Sequence, residues 1–227
     1  RLTDVTGVQT CALPIYKKLL FSLLFQATGS TLLEVAADPK RLGAEIGFLC
    51  ILHTWGQTMN RHPHIHCVVP GGGLSMDHTR WVSSHPRVFL PVKVLSSVFR
   101  DKYLDGLKQA YRTNQLRFYG DCEQLSDSQV FAAFVDELSK KDWVVYSKPP
   151  FGGAEHVLQY LARYTHRVAI SNHRIVSVNE SHVTFLWKDY ANDNKQLPMT
   201  LTCEKFLQRF LQHTLPKGLP RDRKSVV

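Results

Sequence analysis

A mixed α+β domain is predicted, on three observations. Apolar residues at 95, 98, 99, 103, 107, 110 and 111 recur at helical spacing. The apolar run Phe48 to Leu52 after Gly47, and His64 to Val69 before Pro70-Gly71-Gly72-Gly73, are strand-like. Arg174 to Val178 and Val183 to Lys188 flank Asn179-Glu180-Ser181 as the arms of a hairpin.

Leu19 to Phe25 is apolar, but Gln26-Ala27-Thr28-Gly29-Ser30 lacks a cleavage pattern and leads into a helix-like stretch, so a secretion signal is not expected. Asp38-Pro39 predicts a helix cap with proline at the first helical position. Gly43 and Gly47 break the pattern before a strand over about 47–54. A second strand over 64–69 ends in Pro70-Gly71-Gly72-Gly73, where no Lys-Ser or Lys-Thr follows, so the glycines predict a turn and not a phosphate loop. A helix follows over 95–116. Ser126 with Gln129 three residues on predicts a capping box for a helix to about Lys140. Trp143 to Ser147 is read as a short strand, 155–167 as a helix, and 204–213 as a last helix.

The chain has 227 residues, 44% hydrophobic and 21% charged, a globular composition, and no run of about 18 apolar residues is evident that would cross a bilayer. The formal charge of +9 is uneven. Residues 1–146 carry 16 basic and 13 acidic side chains, net +3, whereas 147–227 carry 12 and 6, net +6. Such a field favours polyanions such as nucleic acid, and equally fits a solvated basic surface. Five cysteines with no CxxC pair fit neither a disulfide framework nor a structural zinc site, and imply a reducing cytoplasm. Residues 1–15 and 220–227 show no structural periodicity and resemble translated sequencing-adapter DNA. The expected natural segment is 16–219.

Chemistry concentrates in residues 53–73, HTWGQTMNRHPHIHCVVPGGG. His64 and His66, two apart on a strand, project from one face, where two imidazoles can share a metal ion. His53, 11 residues before His64 near the end of the preceding strand, returns beside them if the chain turns back; Gln57 is the competing third ligand. His62, before Pro63 in the expected loop, ranks below both. Downstream, Tyr160 and Tyr164 are one helical turn apart and can serve one site. Val157, Leu161, Thr165 and Val168 form the buried stripe of that helix, the tyrosines flank it, and Arg163, His166 and Arg167 lie further round. Each pattern alone also fits a structural role, as surface histidines or as aromatics at the edge of a core.

Together, the His-hydrophobic-His strand and the downstream YxxxY helix resemble the HUH endonucleases. The strings LHTWGQ, HPHIHCVVPGGGL and YLARYTHRVAISN resemble the two-tyrosine rolling-circle transposases of insertion sequences. The resemblance covers about 16–219; the cysteine-rich zinc domain and the continuation known in that family lie outside this chain. It implies a ferredoxin-like or RRM-like central antiparallel sheet flanked by helices. It also implies a divalent metal, Mg²⁺ or Mn²⁺, on His53, His64 and His66, with Tyr160 and Tyr164 as nucleophiles and Arg163, His166 and Arg167 as DNA contacts. Single-stranded DNA at transposon ends would be the partner, in the bacterial cytoplasm and away from membranes. The alternatives from the residues are a metal-free single-stranded nucleic-acid-binding module, against which stands the lack of paired aromatics on the strands, and a metal hydrolase of small substrates, which lacks a carboxylate near the histidines.

Overall fold

The structure, a computed structural model, describes residues 17–148, 155, 157–159, 162, 169–189, 192–213 and 225–226. Helix α1 (Lys17–Ala37) is followed by strands β1 (Ala44–Glu45), β2 (Phe48–Trp55), β3 (Arg61–Val68), β4 (Gly72–Ser75) and β5 (Trp81–Ser83). Helices α2 (Val92–Arg112) and α3 (Ser128–Lys140) are joined through a 3₁₀ turn at Gly120–Ser126. Strands β6 (Ile175–Val178), β7 (His182–Asp189) and β8 (Lys195–Thr202) precede helix α4 (Cys203–Leu211) and strand β9 (Ser225–Val226). Among the described residues these strands form three three-stranded sheets, in the orders β1-β4-β5, β3-β2-β9 and β6-β7-β8. The α+β class is the one predicted, with antiparallel pairing.

Two compact units divide the chain. The first comprises Arg1–Ile51, Ile65–Leu158 and Pro220–Val227, the second Leu52–His64 and Gln159–Leu219. In the first unit α1 packs on α2 and buries Leu20, Phe21, Leu24, Ala27, Leu32, Val35 and Ala36. Contrary to the expectation above, Lys18–Ala37 is long and apolar enough to cross a membrane. Burial inside the unit accounts for this, because a helix packed on several sides needs apolar residues around most of its circumference. Its end falls where a helix start was expected. Asp38 accepts Lys40 N on its carboxylate at 2.9 Å and Arg41 N and Gly43 N on its carbonyl, forming a turn that Gly43 closes at φ +63°.

The triple glycine also departs from expectation. Only Pro70-Gly71 turns, and Gly72 and Gly73 enter β4, the middle strand of its sheet. A Cβ on Gly73 would lie 2.3 Å from Glu45 O, and one on Gly72 2.3 Å from Val82 O. Close approach of neighbouring backbones therefore demands glycine there. At α3 the capping residue is Asp127, not Ser126: its Oδ1 accepts Gln129 N at 2.8 Å and Val130 N at 3.0 Å, while Ser126 Oγ donates to Glu123 O. A carboxylate is the stronger acceptor for those amides. Residues 143–147 form no strand. Trp143 is instead buried as a wedge, its ring 5.6 Å from Phe99 and 5.5 Å from Tyr103, with Nε1 donating to Leu138 O at 3.0 Å.

In the second unit the predicted hairpin is present as β6 and β7, and β8, which the sequence reading did not assign, completes its sheet. Pro198 sits in β8 at the sheet's edge, where a missing N–H costs no ladder bond. Met59, Ile170 and Phe185 are buried at the centre, with Trp187, Met199, Phe206 and Phe210 packed around them. Thr202 Oγ1 caps α4 by accepting Lys205 N.

Candidate metal centre

β2 and β3 are neighbours in their sheet, joined by residues 56–60. So short a link requires the strands to run antiparallel. The turn closes with Gly56 N donating to Asn60 O and Met59 N to Gly56 O, both at 3.1 Å, and Met59 takes the left-handed conformation at φ +57°. Side chains alternate along each strand, so His53 and Trp55 share a face of β2, and His62, His64 and His66 share a face of β3.

The candidate ligand nitrogens of His53, His64 and His66 all lie within 4.8 Å of one another. Metal–imidazole bonds are about 2.1 Å long, so two ligands of one ion are at most about 4.2 Å apart. Even a pair at the 4.8 Å limit would need to draw in by only roughly half an ångström, a small side-chain rotation. His53 is buried, and its ring stacks on Trp55 at 4.9 Å and 13° and meets His64 edge-on at 5.6 Å. His64 Nδ1–H donates to His62 O at 2.6 Å. Because a carbonyl only accepts, that bond puts the proton on Nδ1 and leaves the Nε2 lone pair for an ion. Burial lowers the His64 pKa below its ordinary 6.5, opposed in part by the same hydrogen bond, and so favours the neutral ring that a ligand must be. The group contains no carboxylate, so a bound divalent ion would keep its full charge toward an anionic oxygen.

The structure thus brings His53 together with the pair. Gln57, the competing candidate, lies in the turn, where its Oε1 accepts Lys188 N at 3.4 Å. His62 is on β3 and not in a loop, its ring 5.0 Å from that of His64. Pro63, expected in the loop before the strand, also lies within β3; because β3 is an edge strand among the described residues, proline is tolerated there. Glu155 and residues 157–159 are helical. Tyr160, Arg163, Tyr164, His166 and Arg167 lie outside the described residues. Trp55 and His213, both in contact with this neighbourhood, were not singled out; their common signal is only that they are aromatic residues beside a histidine strand and at the end of a helix.

Residues 47–225 match the family described as "Putative transposase", and the chain belongs to that family. Among its relatives is "Putative transposase y4qJ" of Sinorhizobium fredii (strain NBRC 101917 / NGR234), 50% identical over 207 residues, which are 91% of this chain and 52% of that protein. The "Transposase for insertion sequence element IS801" of Pseudomonas savastanoi pv. phaseolicola is 26% identical over 199 residues, 87% of this chain and 46% of that protein. The chain thus spans about half the length of these curated relatives. No solved structure matches.

Proposed function

We propose that this chain is the catalytic part of a transposase that nicks and rejoins single-stranded DNA through a 5′-phosphotyrosine, with an HUH-type histidine site, in rolling-circle transposition. One observation carries the reading: in a chain of a transposase family, His53, His64 and His66 gather their nitrogens within 4.8 Å. Those residues would hold Mg²⁺ or Mn²⁺, and the ion when bound supplies positive charge that polarises and orients a phosphodiester.

The remaining steps belong to the protein. The phenol oxygen of Tyr160 or Tyr164 attacks phosphorus, the Tyr–O–P bond forms as the bond to the 3′ oxygen breaks, and the phenolic proton is lost while the 3′ oxygen gains one. Bond energy is retained in the phosphotyrosine, so rejoining needs no nucleotide cofactor. A tyrosine of ordinary pKa near 10 is a weak nucleophile. Arg163, His166 and Arg167 on the same segment would lower the cost of the phenolate and hold the strand's phosphates. The second tyrosine gives the second attachment that strand transfer requires. The partner is single-stranded DNA at transposon ends, met in the bacterial cytoplasm.

Incubation with a labelled single-stranded oligonucleotide carrying a transposon end, in Mn²⁺ or Mg²⁺, tests this directly. A covalent protein–DNA band is expected, retained in part by either Tyr160→Phe or Tyr164→Phe and absent from the double variant. Binding without any adduct would leave a non-catalytic nucleic-acid-binding module in its place.

A further inference from the structure

The carbonyls of the histidine turn are taken up in succession by side chains of the same unit. Arg174 Nη2 donates to Gln57 O, Arg209 Nη1 to Thr58 O at 2.9 Å, and His213 Nε2 to Met59 O at 2.8 Å. Turn carbonyls ordinarily face water, so three consecutive protein donors mark a turn whose position is held. His213 does more than close it. With its proton on Nε2, the neutral ring accepts the Thr54 hydroxyl on Nδ1 at 3.2 Å, and Thr54 is the residue after His53. The His213 ring also lies 5.7 Å from that of Trp55, which in turn stacks on His53. At 9% exposure it has little access to solvent, so these are interior contacts.

We infer that His213 is a positioning residue for the metal centre, fixing His53 through Trp55, Thr54 and the Met59 turn. The inference rests on the reading of the histidine cluster as a metal site. Met59 is fully buried in a left-handed conformation that a non-glycine residue keeps only when its surroundings impose it. The bond from His213 to its carbonyl is one such restraint. Removing the imidazole frees the turn and opens space behind Trp55, so the His53 ring can rotate away from His64. Both β3 ligands keep their places. Metal binding should therefore weaken and not vanish.

Mn²⁺ affinity of the full 227-residue chain, measured by calorimetry alongside thermal unfolding, tests this. His213→Leu is expected to lower the affinity about tenfold, the scale of losing an outer-shell partner. His213→Gln, whose amide N–H reaches the Met59 carbonyl as Nε2–H does, is expected to stay within about threefold of the parent if the turn bond dominates. Val183→Ala removes a buried methyl pair at the other end of β7 and serves as a stability control that leaves the turn alone. Weakened binding in His213→Leu with unchanged binding in Val183→Ala supports the role. Unchanged affinity in His213→Leu, or an equal loss in Val183→Ala, overturns it while leaving the metal centre standing. If the parent chain shows no Mn²⁺ binding that His64→Ala removes, the metal reading itself fails, and this inference with it.

Discussion

At the scale of single residues, the histidine cluster makes the sharpest demands. His64→Ala or His66→Ala removes a ligand and little packing, so each should abolish Mn²⁺ binding and cut oligonucleotide cleavage by at least a hundredfold while the protein remains folded. A variant that keeps cleavage would remove the site from the mechanism. The sign of the pH dependence follows from burial. His64 in the folded chain resists the proton that an unfolded histidine accepts near pH 6.5. The unfolded state therefore binds more protons as pH falls below that value, and stability falls with it until the lowered folded pKa is passed. Urea midpoints at pH 7.5 and 5.5 should differ more for the parent chain than for His64→Gln, and an equal difference would show that His64 does not contribute. Mn²⁺ affinity should fall on acidification over the same range, because only the neutral ring is a ligand.

At the scale of elements, the placement of the centre depends on what packs beside it. The reverse faces of β2 and β3 join a core of the first unit, with Cys50 and Cys67 sulfurs 3.3 Å apart and Ile65 and Val69 packed against the cluster that includes Phe48 and Cys50. That burial fixes strand register, since a slip by one residue would send the histidines inward. The β1-β4-β5 sheet is held by a different device, close backbone contact at Gly73. Gly73→Ala should destabilise by about 1–3 kcal/mol, because the atoms met at 2.3 and 2.9 Å are the backbone of Glu45 and cannot swing aside. A cost under about half a kcal/mol in urea unfolding would mean that the strands separate freely. Asp127, by contrast, acts only at a helix end, where loss of the cap costs about 1 kcal/mol.

For the whole molecule, charge is the relevant quantity. A formal +9, two-thirds of it after Tyr146, means that binding of single-stranded DNA should release counterions and weaken steeply with salt. Titrations at 50 and 200 mM salt should show a loss of at least tenfold, with duplex of matched length competing poorly. Salt-independent binding, or equal binding of duplex, would contradict a single-strand substrate held by its phosphates.

Local pattern was enough where local physics decides. The stripe from Leu95 to Tyr111 produced α2 because a 3.6-residue period needs only one buried face to be read, and the alternation at His64 and His66 put both rings on one side of a strand. Asn179-Glu180-Ser181 marked the β6–β7 hairpin in the same way. Other outcomes depended on atoms distant in sequence. Gly72 and Gly73 became a strand because Val82 and Glu45 approach their backbones, Trp143 became a wedge because Phe99 and Tyr103 surround it, and β8 gained its place by pairing with β7 although its own pattern is weak. The meeting of His53 with the histidine pair likewise depends on a turn whose carbonyls accept from Arg174, Arg209 and His213, more than a hundred residues downstream. Sequence alone therefore determined the α+β class, the histidine pair and the transposase resemblance, all of which reside in short strings. Tertiary structure decided which third residue faces that pair and what holds it there, because those are contacts between segments whose order in the chain carries no record of their distance in space.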